Sequence, residues 1–207
     1  MDYDPRSERH GLAHDPGTCL VVPRPIGWIT TISPAGVVNL APYSFFNLIC
    51  TRPPFVMFSS STRKHSQRNA ELSGEFVFNL ATWELRTEMN ITGSDHPEDI
   101  SEADLAGLEL APSRVVKPPR VARSPIALEC IYNKTVDLVQ SSGKKTINSL
   151  VIGEVVNVHI DDAVIVDGNI DMARIRPIAR LGYMDYTSVD NIFTMHRVPV
   201  IEREPAK

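Results

Sequence analysis

The chain has 207 residues, long enough for one sizeable core, and its 43% hydrophobic and 22% charged content exclude a disordered or fibrous protein. A net charge of −4 argues against nucleic acid as a partner. No apolar run reaches the roughly 18 residues of a membrane span and the polar start lacks a secretion signal's apolar stretch, so the expected setting is cytoplasmic, with no membrane partner.

Residues 1–19 read as an N-terminal arm. His10 and His14 would share one face of a helix, as zinc ligands require, but Gly11 lies between them and Pro5 and Pro16 flank them. A solvated arm is expected there, and no metal site. Cys19, Cys50 and Cys130 are odd in number and far apart, without CxxC spacing. Neither a disulfide framework nor a zinc knuckle is indicated, and each is expected to be a small buried hydrophobe. Cys50 in particular is expected to be an unreactive thiol.

The stretch from Val22 to Ser66 holds three apolar runs, Ile26–Ile32, Val37–Leu40 and Phe55–Ser59, parted by Pro-Ala-Gly and Arg-Pro-Pro turns. Trp28, Thr30 and Ile32 share one face of the first run, and Ile29 and Thr31 the other. Thr30 and Thr31 read equally well as strand filler or as ligand contacts. Between the second and third runs, Ala41 to Asn47 interleaves aromatic rings with small polar groups. After the third comes Ser59-Ser60-Ser61-Thr62-Arg63-Lys64-His65-Ser66, a hydroxyl-rich basic loop.

Ser66 to Leu72 then has the composition of a short helix that Gly74 stops. A helix start offers unpaired N–H groups and the positive end of its dipole, which suits a phosphate. Lys64 would add a charge and Ser66 a hydroxyl; the plainer alternative makes Ser66 an N-cap and Lys64 a solvated lysine. Taken together, the loop and the aromatic strand before it suit a ligand carrying a phosphate and a planar ring.

Phe76–Leu80 reads as a strand. Thr82 is expected to cap a helix carrying Leu85 and Met89, ended by Gly93. Ser94 to Ser124 is acidic, then proline-rich, and reads as an excursion over the surface, a lid or an interface segment. Within it, Ser101 and Asp104 form a capping-box pattern. Ile126–Leu138 is a strand, with Ile126, Leu128, Cys130 and Tyr132 facing inward. A hairpin loop at 141–145 follows; Leu138 and Lys145 stand where a phosphate loop needs Gly and Ser or Thr. Val151–Ile160 is a long strand with Ile152, Val156, Val158 and Ile160 on one face. Asp167 to Asp171 is a turn rather than a calcium loop, and Arg176–Tyr186 is expected to return to the core. Some seven short strands with few short helices favour a mostly β fold, an antiparallel barrel closed or half-closed on itself. No GxGxxG follows a strand, so a Rossmann site is unsupported.

The segments PRPIGWITT, NLAPYSFFN, PPFVMFSSSTRKHSQRN, GEFVFNLAT, GLELAPSRVVKPPRVARSPIALEC, VIGEVVNVHIDD and PIARLGYMDY, in this order from Leu20 to Tyr186, resemble the flavin reductase-like family. The resemblance is greatest to the subgroup of flavoredoxin and the reductase components of nitrilotriacetate-type monooxygenases. It implies an antiparallel FMN-binding split β-barrel of Greek-key type with short peripheral helices over residues 20–187, followed by a C-terminal tail at 188–207. It also implies FMN as cofactor, NADH or NADPH as co-substrate, a homodimer with FMN near its interface, and a partner monooxygenase or other electron acceptor. Position by position, Trp28, Thr30 and Thr31 would border the isoalloxazine or ribityl chain. Asn39, Ala41, Pro42, Tyr43 and Ser44 would contact the ring, and Ser59, Ser60, Lys64 and Ser66 would hold the phosphate. Arg180 would approach the flavin from the other side. His65 stands where the family carries Asp, which changes the charge beside the phosphate. No catalytic acid–base dyad or nucleophile is expected, because the flavin carries the redox chemistry. An FMN-binding electron carrier or flavin store without nicotinamide turnover is the alternative.

Overall fold

A computed structural model describes residues 1–198, so the tail expected over 188–207 lies partly outside the described residues. The framework is a seven-stranded antiparallel sheet. Its strands are β1 (Gly27–Ile32), β2 (Val38–Tyr43), β3 (Phe46–Thr51), β4 (Pro54–Ser61), β5 (Glu75–Leu80), β6 (Ile126–Val139) and β7 (Lys145–Ile160). Their spatial order is β2-β1-β5-β6-β7-β4-β3. The apolar runs separated by turn residues thus become β1, β2 and β4, and the 141–145 loop closes the β6–β7 hairpin.

One core cluster draws Ile29 from β1, Phe46 from β3, Phe58 from β4, Phe76 and Phe78 from β5, Cys130 from β6 and Val151 from β7. Side chains from every part of the sheet meet there because the sheet curls around them, as the split-barrel reading requires. Phe46 and Phe78 stack with centroids 4.5 Å apart, and Phe58 meets Phe76 edge-on at 5.6 Å. Glycine is required where these rings press on backbone. A Cβ on Gly153 would lie 2.4 Å from the Phe76 ring.

Outside the sheet, α1 (His65–Ser73) packs on β1 and β2. Gly74 ends it in the left-handed region, φ 75°, with its N–H donating to Ala70 O at 3.0 Å. A Cβ at Gly74 meets nothing within 4 Å, so substitution there tests backbone strain alone. Gly74→Ala is expected to destabilise the protein by roughly 1–2 kcal/mol, read as a lower denaturant midpoint at unchanged m-value.

One sequence expectation is corrected at the helices. Thr82 makes no side-chain cap; a 3₁₀ turn at Trp83–Leu85 precedes α2 (Arg86–Ile91), and Thr82 instead bridges to Pro177. Leu85 and Met89 are nonetheless both buried, as their spacing implies. Ser101 does accept from the Asp104 N–H, at 3.4 Å, at the start of α3 (Glu102–Leu105). Near the C-terminus, α4 (Met172–Ile175) leads to β8 (Ile178–Gly182) and β9 (Asp185–Ser188), which form a small sheet with Arg24–Pro25. Ile178 and Ala179 are buried, so this segment does return to the core.

Over its first residues, 126–130, β6 is covered on both faces. Ala127 and Glu129, expected outward, are buried because residues 114–116 cross that face. Glu129 receives the N–H groups of Arg114, Val115 and Val116 and the Asn157 amide, at 2.6–3.1 Å. Burial alone would raise its pKa, but these donors outweigh it and hold the carboxyl below the usual range. On β7 the buried residues are Val151, Gly153 and Val155, while Val156 and Val158 are exposed. A bulge between Val155 and Asn157 shifts the alternation there. Cys50 corrects a third expectation: it is exposed on the edge strand β3, Cys19 is half-buried, and only Cys130 is fully buried.

Candidate functional site

A cleft of about 690 Å³ opens where β2, the end of β4 and the start of α1 converge. Its far wall is the segment 92–96 that follows α2. The turn entering α1 is tight: Thr62 and Arg63 both adopt left-handed backbone, φ 55° and 52°, unusual for residues with a Cβ. Arg63 is turned away from the cleft's centre by a forked pair to Glu71, at 2.8 and 2.7 Å. Glu71 also accepts from Gln67 and Thr135, which fixes the turn from behind.

With the turn fixed, α1 points its first residues, His65 and Ser66, into the cleft. No side chain caps this helix, so its first-turn N–H groups are open to a ligand. Ser66 is therefore not the cap but the second residue of the helix. It is buried, and its Oγ accepts from Asn39 Nδ2 at 2.9 Å. Lys64 is not merely solvated either: its Nζ pairs with Asp95 Oδ1 at 2.7 Å across the cleft. Arg68, one turn on, pairs with Glu98. The hydrogen bond from Lys64, with its charge and those of His65 and His96, holds the Asp95 carboxyl below its ordinary range.

The floor is aromatic and hydroxylic. Tyr43 leans on Phe58 with centroids 4.7 Å apart. Burial pushes its phenol up to about 12, with the hydroxyls of Ser66 and Ser60 nearby acting against that rise. The Tyr43 hydroxyl and Ser60 Oγ are buried without a hydrogen-bond partner among the described residues. Two orphaned hydroxyls beside an open cleft mark a place where a ligand or ordered water completes the bonding. Ser59 is held by Asn148, whose Nδ2 donates to it at 3.1 Å. Glu102, on α3, is buried and accepts from the Leu40 N–H at 3.0 Å, tying the acidic excursion to β2.

Of the residues singled out from sequence, Asn39, Ala41, Pro42, Tyr43, Ser44, Ser59, Lys64, His65 and Ser66 all line this cleft. Ser60 lies just behind it, fully buried. Trp28, Thr30 and Thr31 have no exposed surface and are not part of its wall. Each is occupied within the core. Trp28 Nε1 donates to Thr92 Oγ1 at 2.8 Å, while Thr30 and Thr31 accept from Asn79 and Asn69 at 2.8 and 3.2 Å. Arg180 also lies away from the cleft, on β8, stacked on Tyr186 with its guanidinium carbon 4.4 Å from the ring centroid. Sequence reading missed the far wall, Thr92 to His96, together with Arg68, Glu102 and Asn148. Only the acidic character of 94–104, opposite in sign to the basic loop at 59–66, pointed towards it.

The donor set fits a phosphorylated planar cofactor: an uncapped helix start, a lysine, several hydroxyls and an aromatic floor. Comparison with known proteins agrees. Residues 19–175 match the model of the flavin reductase like domain. Nitrilotriacetate monooxygenase component B from Bacillus cereus superposes with a TM-score of 0.86 at 29% identity, over 94% of this chain and 98% of that one. The 2-nitrobenzoate 2-nitroreductase of Pseudomonas fluorescens gives 0.83 at 28% identity, over 99% of both chains. An uncharacterized protein of Aquifex aeolicus is 36% identical over 169 residues, 79% of this chain and 83% of its own. With a curled antiparallel sheet, a phosphate-suited helix start and a family match over most of its length, this chain belongs to the flavin reductase-like family, whose chemistry is flavin-linked redox.

Proposed function

We propose that the protein is an FMN-dependent oxidoreductase of the NAD(P)H:flavin reductase type, passing electrons to a partner monooxygenase or another acceptor. The observation that carries this reading is the uncapped start of α1 beside Lys64, facing the hydroxyl-lined aromatic floor. Lys64, Ser66, Ser59 and the α1 N–H groups would hold the phosphate, and Asn39 to Ser44 would line the ring. A bound flavin supplies the redox chemistry, taking two electrons from a nicotinamide and giving them to the acceptor. The chain's own part is to bind and orient it. No Rossmann motif is needed, because the nicotinamide would be placed against the flavin rather than in a separate nucleotide fold. The likeness to a protein named as a monooxygenase component supports a partner oxygenase.

The same reading includes a homodimer. Leu48 and Ile49 on the edge strand β3 and Val156 and Val158 on β7 are about half exposed, apolar surface suited to a second copy. Among the described residues no helix is long and apolar enough to cross a membrane.

His65 favours a second reading, an FMN carrier without nicotinamide turnover, since the family resemblance places Asp there. Stopped-flow mixing of the FMN-loaded protein with NADH or NADPH decides between them. Loss of the flavin's visible absorbance at a rate that saturates with nicotinamide is expected. An unchanged spectrum with both nucleotides, from a protein that holds FMN, selects the carrier.

A further inference from the structure

A second cavity, of about 390 Å³, is lined by Trp83, Arg86, Met89, Ile178, Met184 and Tyr186 among others. That volume suits a small ligand. Its walls are mostly apolar, yet large parts of them face solvent: Trp83 and Tyr186 are each 37% exposed and Met184 84%. One guanidinium, that of Arg86, lines it, and a second, that of Arg180, packs on two of its lining residues. Arg86 lies over the Trp83 ring at 4.0 Å, held there by donating to the Trp83 carbonyl at 2.6 Å. Arg180 lies over the Tyr186 ring at 4.4 Å, with a nitrogen 3.6 Å from Met184 Sδ.

The charges here do not balance. Arg176, also near Trp83, has Glu84 and Asp190 at 3.6 and 3.7 Å, and Glu88 is taken by Arg123. Arg86 and Arg180 make no ion pair among the described residues. Their partners are neutral: carbonyls, a phenol, a thioether and aromatic faces. Arg86 spends one nitrogen on the Trp83 carbonyl and keeps its other N–H groups for an acceptor, and a carboxylate is the acceptor that meets a guanidinium with two parallel bonds. The apolar walls beside it take a ring.

We propose that this cavity is a binding site for a small aromatic carboxylate, its ring against Trp83 and Tyr186 and its charge on Arg86. The inference does not rest on the flavin reading, since none of these residues lines the cleft. The two sites are neighbours all the same. Met89 belongs to α2, and the chain running on from α2 forms the cleft's far wall.

The test titrates benzoate into the full-length protein, flavin-free and FMN-loaded, by calorimetry or ligand-observed NMR. A fragment of this size is expected to bind with a Kd on the order of 1 mM. Benzamide, which keeps the ring and loses the charge, should bind about tenfold more weakly or worse, as should benzoate to Arg86→Gln. Arg86→Lys should recover only part of the loss, because a lysine lacks the fork. Trp83→Leu should weaken benzoate and cyclohexanecarboxylate unequally, the aromatic probe more. Equal binding of benzoate and benzamide, no benzoate binding by the parent, or unchanged binding in Arg86→Gln overturns the proposal. Arg86 sits at the surface end of its stack, so the Arg86→Gln result stands even if Trp83→Leu fails to melt cooperatively. Benzoate binding in a protein that takes up no FMN would refute the flavin reading and leave this one intact.

Discussion

FMN should bind this protein at least about a hundredfold more tightly than riboflavin, which differs only in lacking the phosphate. The expectation follows from the donors gathered at one end of the cleft. Lys64 supplies a full charge, and the uncapped first turn of α1 supplies N–H groups and the positive end of the dipole. Hydrogen bonds to a charged group contribute roughly 1.5–3 kcal/mol each, so two that survive net of desolvation reach that factor. The phosphate must also disturb the Lys64–Asp95 pair, which offsets part of the gain. That pair is largely exposed, and such pairs are worth no more than about 1 kcal/mol, so the offset is the smaller quantity. Calorimetric or fluorescence titration of both flavins reads the ratio directly. Similar affinities would move the phosphate away from α1 and remove the main support for FMN as the ligand.

That end of the cleft was legible in the sequence because it is local. The hydroxyl run, Lys64 and the helix start follow one another along the chain, and Gly74 marks the helix end by a backbone conformation other residues avoid. Most strands of the large sheet were legible for the same reason, as short β-branched or aromatic runs between turn residues; β3, Phe46–Thr51, was not read as a strand. What could not be read depends on segments distant in sequence. Thr92 to His96 forms the opposite wall only because Trp28, deep in β1, bonds Thr92 and fixes where α2 ends. Thr30 and Thr31 look like ligand contacts until Asn79 and Asn69, far along the chain, fill their bonding needs. Glu129 reads as an outward residue on an alternating strand, and it is buried because residues 114–116 bring three N–H donors to it. Cys50 reads as a small buried hydrophobe because nothing in its spacing marks a disulfide or metal role, but β3 lies at the sheet's edge, and edge position is a property of topology.

Lys64 is where local reading and tertiary contact meet, and a double-mutant cycle with Asp95 separates them. Taken alone, a phosphate-binding lysine would lose FMN affinity on truncation by roughly 1.5–3 kcal/mol. Here Lys64 already holds Asp95 at 2.7 Å, so FMN must displace or share that carboxylate, and the loss in Lys64→Ala should fall at the lower end, about tenfold. Asp95→Asn removes the competitor while keeping the side chain's shape, and should tighten FMN severalfold in the parent. In the Lys64→Ala background the same change should do much less, because the lysine it would release is absent. The two effects are therefore not additive, and the coupling measures the competition. The depressed pKa of Asp95 keeps it ionised and competing throughout the neutral range, and the competition should fade only as acid protonates it through that lowered pKa. Added salt should shrink both single-mutant effects, since the pair and the phosphate contact are each partly exposed. Turnover at saturating FMN then shows whether Lys64 touches anything beyond the phosphate: a phosphate contact alone registers in affinity. Additive effects of the two substitutions, or FMN affinity indifferent to Lys64, would make the pair an ordinary surface contact and would place the phosphate on the α1 N–H groups without it.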